Sequence, residues 1–248
     1  MEPVDYRVGG RIAHLVMNRP EKKNAINRQM RQGLYTALQD IRDNPDVWVA
    51  VLSGAGNTFS AGHDLSESLA GSPTVDDLYD LQNAIFKPFI AAINGACLAQ
   101  GGGLALGCDI RIAGEDAFFG WPQVKRGICS VSGPTLLARQ IPLNFALEYL
   151  FTGEFMNAQR ALELRLVNRV VPAGDVGRVA GGIAQKIAEN APLAVRAMKE
   201  ATLRTLSMPP DEAYRYASRV LNGVEQTEDA AEGMRAFLEK RAPVWRGR

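Results

Sequence analysis

Residues 93–109 read INGACLAQGGGLALGCD, and the interpretation of the whole chain depends on this stretch. It begins as a short apolar run, crosses the three consecutive glycines Gly101–Gly103 and continues as a helix-like apolar pattern. Because glycine loses more backbone entropy on folding than other residues, such a run indicates a sharp turn or a close approach of the backbone to a neighbour. A glycine-rich turn that opens a helix also presents unpaired N–H groups to an anion. The stretch therefore predicts either an anion-binding turn or a tight strand-to-helix connection in the core.

The composition is that of an ordinary soluble globular protein. Hydrophobic residues make up 46% and charged residues 22% of the 248 residues, which can form one large α/β domain or a domain with an appended helical part. A net charge of +1 gives no reason to expect binding to nucleic acid or to an anionic membrane. No apolar run reaches the ~20 residues that a membrane helix needs, and the N-terminal segment lacks the apolar core of a signal peptide.

The cysteines and histidines indicate neither disulfides nor a metal site. Cys97, Cys108 and Cys129 are odd in number and lack the spacing of metal ligands, which predicts reduced thiols in a cytoplasmic protein. With only two histidines in the chain and no His/Cys cluster, we expect no zinc or other metal.

Strand and helix patterns alternate along roughly the first half of the chain. Apolar patterns at 11–17, 47–52 and 88–95 predict strands, and the continuous run at 47–52 is typical of a parallel strand buried on both faces. Asn27 is the predicted N-cap of a helix. Everything beyond Thr135 is predicted to be helical. This order favours a mostly parallel sheet with an appended helical region. The helical region would bury its apolar faces either on the core of its own chain or against a neighbouring subunit.

The common catalytic motifs are absent from the sequence. The glycine run does not match the dinucleotide pattern G-x-G-x-x-G, no GK[ST] follows it, and there is no G-x-S-x-G elbow. His63 and Asp64 are adjacent in a turn, and adjacent residues rarely orient each other as a catalytic base and its anchor. A nucleotide-dependent α/β enzyme stays an alternative, but only the glycine cluster supports it, because the nucleotide-binding motifs are absent.

Two loops rich in potential backbone donors follow predicted strands directly. One holds residues 61–64 and the other residues 99–103. Because neighbouring parallel strands end at the same edge of a sheet, we expect the two loops to meet there. Two converging N–H groups at that edge would form an oxyanion hole, a pair of fixed dipoles aimed at a carbonyl oxygen that becomes negative.

Six segments of the chain resemble the sequence pattern of the crotonase, or enoyl-CoA hydratase/isomerase, superfamily, and they occur in the family's order and at its spacing. They read NRPEKKNAIN, GAGNTFSAGHDL, INGACLAQGGGLALGCDIRIAG, FGWPQVKRGI, TGEFMNAQRALELRLVNRVV and FLEKRAPVW. The resemblance implies an α/β fold, a crotonase-like spiral of ββα units with two roughly perpendicular sheets and a C-terminal helical trimerisation region. We accordingly expect a spiral core at 1–190, a helical region at 191–248 that belongs to the same functional unit, and a homotrimer or a hexamer formed as a dimer of trimers.

The resemblance also implies an acyl-CoA thioester substrate whose carbonyl becomes an enolate held by two backbone N–H groups. Coenzyme A is then part of the substrate, and no separate cofactor is expected. The first donor falls on His63 and the second on Gln100 or Gly101. Contacts with coenzyme A and the acyl group fall on Lys22, Lys23, Ala25, Ala61, Gly62, Asp64, Leu65 and Trp121, and on Phe237 and Lys240 of a neighbouring subunit. The alternatives are a loop-capping role for Asp64, a core position for Trp121 and a solvated helix end for Lys240.

The acid/base positions depart from the pattern of the family. A hydratase of the superfamily carries one glutamate three residues after the second donor and another in the segment FGxPE, and this pair activates a water. The corresponding residues are Gly103 and Gln123, neither of which exchanges protons near neutral pH. The segment 128–133, where some members carry a later carboxylate, contains none.

Two hypotheses follow from this departure. The first is an acyl-CoA enzyme that keeps the oxyanion hole, uses His63 as acid or base because its unperturbed pKa of ~6.5 suits that role, and orients water or a substrate carboxylate with Gln100 and Gln123. Isomerisation with an unusual base, decarboxylation and thioester hydrolysis all stay open. The second is a catalytically degenerate CoA-thioester-binding protein or assembly subunit.

Overall fold

The computed structural model describes residues 2–67 and 73–248. Within these residues the strands are β1 (Val4–Gly9), β2 (Ile12–Met17), β3 (Val49–Gly54), β4 (Phe89–Ile93), β5 (Ala96–Leu98), β6 (Ile110–Gly114), β7 (Phe118–Gly120), β8 (Met156–Asn157) and β9 (Arg169–Val171). The α-helices are α1 (Arg28–Asp43), α2 (Val75–Asn83), α3 (Ala99–Leu106), α4 (Ala138–Gln140), α5 (Leu143–Thr152), α6 (Ala158–Glu163), α7 (Val176–Ala188), α8 (Pro192–Thr205), α9 (Pro210–Glu225) and α10 (Glu228–Leu238). Short 3₁₀ helices lie at Pro20–Lys22, Pro122–Arg126 and Ala173–Asp175, and a π-helical turn lies at Gly133–Leu137.

The strands form two sheets. The larger has the order β1-β2-β3-β4-β6-β9 and the smaller has the order β5-β7-β8. In the larger sheet β1 is antiparallel to β2 and all other pairs are parallel, so the mostly parallel sheet is confirmed. The expectation that everything beyond Thr135 is helical is wrong, because β8 and β9 lie there. These strands have two and three residues, too few for a periodic pattern, and they depend on pairing with β7 and β6.

The larger sheet is covered on both faces. Buried residues of α1, including Met30, Leu34 and Ile41, belong to the core cluster on one side. Small residues of α7, such as Ala180 and Ala184, pack on Val49 and the other side chains of the opposite face. Asn27 caps α1, because its side chain accepts a hydrogen bond from the N–H of Met30 at 2.9 Å. The predicted cap of α1 and the predicted buried strand at 47–52 are therefore both confirmed.

The register of β3 and β4 positions the candidate site. Their parallel pairing matches Ala50 with Phe89 and Ser53 with Ala92, so both strands end at one edge of the sheet. Beyond that edge the two following segments run side by side. The N–H of Ser60 donates to the carbonyl of Ala96 at 2.9 Å, and the N–H of Leu98 donates to the carbonyl of Ser60 at 2.9 Å.

The last three helices, α8 to α10, carry much of the exposed apolar surface. Phe237 is 80% exposed, and Met234 and Leu238 are also exposed. The end of the chain folds back on the end of α7, where the indole N–H of Trp245 donates to the carbonyl of Glu189 at 2.7 Å. It also contacts α10, where the Asp229 carboxylate accepts from backbone N–H groups at 2.7 and 2.8 Å. No helix among residues 2–67 and 73–248 has the length and apolarity to cross a membrane.

Candidate active site

The glycine run lies within α3, in close contact with four neighbouring residues. A Cβ atom on Gly101 would lie 2.5 Å from the Cβ of Ser60, and one on Gly102 would lie 3.1 Å from the Trp121 ring. A Cβ on Gly103 would overlap the Tyr79 hydroxyl and lie 2.7 Å from the Cβ of Ser132. Each of these positions leaves no ordinary space for a side chain. The interpretation of this run as a close backbone approach in the core is thus confirmed.

Gly62 holds the preceding loop against the start of α3. Its φ is +89°, a conformation that glycine adopts far more easily than other residues. A Cβ here would lie 2.8 Å from the Cβ of Ala99 and 3.3 Å from the backbone nitrogen of Gln100. Both backbone freedom and lack of space therefore require glycine at this position.

Backbone hydrogen bonds fix the loop on either side of His63. The carbonyl of Gly62 accepts from the N–H of Ile26 at 2.7 Å, and the N–H of Asp64 donates to the carbonyl of Ile26 at 3.0 Å. The N–H of Ala61 donates to the carbonyl of Lys23 at 2.9 Å. The predicted contact residues 22–25 and 61–64 are thereby brought together.

Two neighbouring N–H groups have no acceptor in the described part of the chain. One belongs to His63 and the other to Gln100, which lies in the first turn of α3. The first-turn N–H groups of a helix lack intrahelical acceptors and carry the positive end of the helix dipole. The N-cap residue Leu98 provides no side-chain acceptor. The arrangement offers two backbone donors to an external oxygen.

The imidazole of His63 is the candidate proton-transfer group nearest to these donors. Desolvation of the ring, and then the charge of Arg31, lower the pKa of His63 from its usual 6.5, while Asp64 acts in the opposite direction. The residue is exposed. The lowered pKa favours a neutral ring at neutral pH, which can accept a proton.

The carboxylate of Asp64 is bound within the loop. It forms an ion pair with Arg19 at 3.0 Å and accepts hydrogen bonds from the N–H and hydroxyl of Ser66 at 3.1 and 2.6 Å. The Ser66 hydroxyl above all, together with Arg19, lowers the pKa of Asp64 to about 2. These contacts match the loop-capping alternative for Asp64.

Two polar residues, Arg31 and Tyr79, contact Gln100 at the start of α3. Neither was predicted from the sequence as part of the site. Arg31 is only 7% exposed, and its Nη2 donates to Gln100 Oε1 at 3.1 Å. The Tyr79 hydroxyl donates to the Gln100 carbonyl at 3.2 Å. The sequence did contain a signal for Arg31, which shares the apolar face of α1 because it lies three residues before Leu34 and four after Asn27. No comparable signal marks Tyr79.

Several buried polar atoms near these residues have no hydrogen-bond partner in the described part of the chain. They include Arg31 Nε, Gln100 Nε2 and Gln123 Oε1. Gln123 is half-buried in the 3₁₀ helix Pro122–Arg126. Buried polar groups in folded proteins normally have hydrogen-bond partners, so a ligand or water is expected to bond to each of these atoms.

The other residues predicted to contact coenzyme A or the acyl group lie in the core or on the surface. Trp121 is buried in the core, where its indole N–H donates to the Ser132 hydroxyl at 2.9 Å. Leu65 is exposed next to the loop. Phe237 and Lys240 lie exposed at the end of α10, and no hydrogen bond or ion pair joins them to the two loops among residues 2–67 and 73–248. The described side chains contain no group of three or more His, Cys, Asp or Glu residues that could hold a metal ion.

Comparison with known proteins links this geometry to one family. A family profile described as enoyl-CoA hydratase/isomerase matches residues 7–248. The chain is similar to (E)-benzylidenesuccinyl-CoA hydratase of Thauera aromatica, at 37% identity over 254 residues covering 99% of both chains. It is also similar to carnitinyl-CoA dehydratase of Salmonella typhi, at 39% identity over 256 residues covering 96% of both. The crystal structure of an enoyl-CoA hydratase from Mycobacterium tuberculosis superposes over all of both chains with a TM-score of 0.94 and 35% identity.

Proposed function

The chain belongs to the enoyl-CoA hydratase/isomerase family and has the crotonase fold, and on this premise we propose that it stabilises the enolate of an acyl-CoA thioester between the N–H groups of His63 and Gln100. The observation that carries the proposal is the contact of Gly62 with the start of α3. This contact brings together, at one edge of the sheet, two N–H groups that have no acceptor in the described part of the chain. A thioester oxygen that becomes negative is the ligand that such a pair of donors favours.

Gln100 is the better second donor of the two that the sequence left open. Its backbone nitrogen lies 3.3 Å from the Cβ position of Gly62, whereas the nitrogen of Gly101 is not among the three atoms nearest to that position. The side chain of Gln100 does not obstruct the backbone donor, because Arg31 holds its amide oxygen at 3.1 Å. These contacts support the assignment of the donor to Gln100.

We assign the proton transfer to the imidazole of His63. The positions at which the resemblance expects two glutamates are Gly103 and Gln123, and neither exchanges a proton near neutral pH. The neutral ring of His63 would take a proton from the α-carbon and return it to another carbon, while the two N–H groups hold the enolate oxygen. This route suits an isomerase or a lyase that does not use a glutamate pair.

Coenzyme A, as part of the substrate, is the only cofactor in this proposal. Lys22 and Lys23 are basic residues beside the loop of Ala61, whose N–H donates to the Lys23 carbonyl at 2.9 Å. Their charges suit the phosphates of coenzyme A. Phe237 and Lys240 would complete the coenzyme A site from a neighbouring subunit.

We further propose a homotrimer or a hexamer built through the C-terminal helices. Their exposed apolar side chains support this assembly, since large apolar patches on a surface usually mark an interface. They are Met198, Leu206, Tyr214, Met234, Phe237 and Leu238. Sedimentation velocity should give a trimer or a hexamer, and a monomer at micromolar concentration would contradict the assembly. The cytoplasmic location expected from the sequence stays a prediction.

A panel of CoA esters tests the enzymatic proposal. Purified protein is mixed with crotonyl-, dienoyl-, β-ketoacyl- and malonyl-type CoA esters, and turnover and binding are measured together. We expect binding of the thioesters and turnover of at least one of them. Binding without turnover of any member would favour the second hypothesis, a CoA-thioester-binding protein without catalysis. A thermal shift with ATP or NAD would favour the nucleotide-dependent alternative, and we expect none.

A further inference from the structure

Arg31 is a buried cation that has no anionic partner in the described part of the chain. The residue is 7% exposed. Its Nη2 donates to Gln100 Oε1 at 3.1 Å and its Nη1 donates to the Pro73 carbonyl at 3.2 Å. Both acceptors are neutral, and Arg31 Nε has no acceptor among the described residues. A buried charge is costly to keep unless a counter-ion compensates it.

Two partly buried cations of this protein have the carboxylate partner that Arg31 lacks in the described part of the chain. Arg19 pairs with Asp64 at 3.0 Å and Lys199 pairs with Asp109 at 2.8 Å. Lys87 and Arg111 donate to backbone carbonyls, and among the described residues neither has a buried N–H without an acceptor, as Arg31 has at Nε. A guanidinium in a protein stays protonated. Arg31 therefore keeps a charge that lacks a counter-ion within the described chain.

The location of Arg31 connects it with the proposed active site. Its guanidinium holds the side chain of Gln100, the residue that provides the proposed second oxyanion donor. Gln100 Nε2 is a further buried donor that has no acceptor within residues 2–67 and 73–248. The charge of Arg31 also acts on the ring of His63. The two N–H groups without an acceptor, Arg31 Nε and Gln100 Nε2, therefore belong to residues of the proposed oxyanion site.

We propose that Arg31 and Gln100 bind a carboxylate at the far end of the acyl group, so that the substrate is the CoA monothioester of a dicarboxylic acid. Arg31 Nε and Gln100 Nε2 would donate to this carboxylate, and the acid would supply the missing counter-ion. Charge-assisted hydrogen bonds from a guanidinium to a carboxylate are among the strongest in proteins. The inference rests on the proposed function, since it places the acyl chain at the oxyanion donors.

Matched saturated thioesters test the proposal without catalysis. Binding of glutaryl-CoA is compared by isothermal titration calorimetry with binding of its terminal amide, which has the same length and shape but no charge; succinyl-CoA and its amide test a shorter chain. We expect the wild-type protein to bind the carboxylate form roughly tenfold or more tightly for at least one chain length. In Arg31→Met the ratio of the two affinities should fall close to one.

Arg178→Met is the matched control. It also removes one positive charge, but Arg178 is exposed on α7 and pairs with Asp175, so the affinity ratio should not change. Equal affinity of the wild-type protein for acid and amide at both lengths would overturn the role of Arg31 and leave the proposed function in place, as would an unchanged ratio in Arg31→Met. Failure to bind either thioester would overturn the proposed function as well. If Arg31→Met does not fold, the wild-type ratio and Arg31→Lys, which keeps the charge, decide the question.

Discussion

The two sides of the candidate site are built in opposite ways. On the backbone side, residues 61–64 and the start of α3 are fixed by contacts so close that Gly62 and Gly101 leave no room for a Cβ atom. On the side-chain side, Arg31 Nε and Gln100 Nε2 are buried donors without an acceptor among the described residues. Both sides have N–H groups without an acceptor among the described residues, but on one side main-chain contacts fix them, whereas on the other they belong to side chains. Under the proposed function, the backbone side would hold the thioester oxygen and the side-chain side would bind the acyl group.

The largest effect is expected from disturbing the backbone side at Gly62. In Gly62→Ala the new Cβ would lie 2.8 Å from the Cβ of Ala99 at a φ of +89°, which should displace the neighbouring N–H of His63. We expect kcat/KM to fall by ~10²–10³, the usual effect of losing one oxyanion donor. The measurement is a steady-state assay with the CoA ester that turns over, normalised to the folded fraction.

Gly10→Ala is the control for Gly62→Ala. Gly10 also has a positive φ, +58°, but a Cβ there would meet nothing within 4 Å. The control should therefore cost roughly 1–2 kcal/mol of stability from backbone strain and leave kcat/KM unchanged. If Gly62→Ala were as active as the control, the close contact would not position the donor.

A smaller effect is expected from adding the two glutamates of the family pattern on the side-chain side. In Gly103→Glu/Gln123→Glu the Cβ at position 103 would overlap the Tyr79 hydroxyl and lie 2.7 Å from the Cβ of Ser132. We expect a loss of about 1–3 kcal/mol of stability from overpacking and no gain in hydration of crotonyl-CoA. Adding Tyr79→Leu should make room and raise hydration above that of the pair. A gain without the change at Tyr79 would mean that this side of the site is not closed.

The smallest effect is expected in the pH dependence of the rate. Desolvation and Arg31 lower the pKa of His63, so the neutral ring should persist at pH values below its usual 6.5. If this ring is the base, kcat/KM stays constant above that lowered pKa and falls as the pH drops through it. Arg31→Met removes the repulsive charge and should move the falling limb to higher pH. A profile that is identical in His63→Ala would exclude the ring as the proton carrier.

Much of the fold could be predicted from the sequence because its signals are local. The cap of α1 at Asn27, its apolar stripe and the continuous apolar run of β3 depend on residues close together in the chain. The short strands β5, β8 and β9 could not be predicted in this way. They contain two or three residues, and distant partners determine that they are strands.

In the candidate site, too, the features with local sequence signals could be predicted, and those that depend on distant residues could not. The two donor loops follow their strands in the sequence, and the close approach of Gly101–Gly103 follows from the cost of consecutive glycines. The role of Asp64 depends on Arg19, which lies 45 positions away, so the sequence left it open. Tyr79 was missed because only the packing of α2 on α3 brings its hydroxyl to the Gln100 carbonyl.

Isotope-edited infrared spectroscopy of a bound thioester tests the central claim most directly. Butyryl-CoA labelled with ¹³C at the thioester carbonyl is unable to hydrate and reports on the C=O bond itself. If the N–H groups of His63 and Gln100 both donate to this oxygen, the carbonyl band should move to lower frequency on binding, and Gly62→Ala should reverse much of that shift. A bound thioester whose carbonyl band stays at its frequency in water would contradict the oxyanion hole.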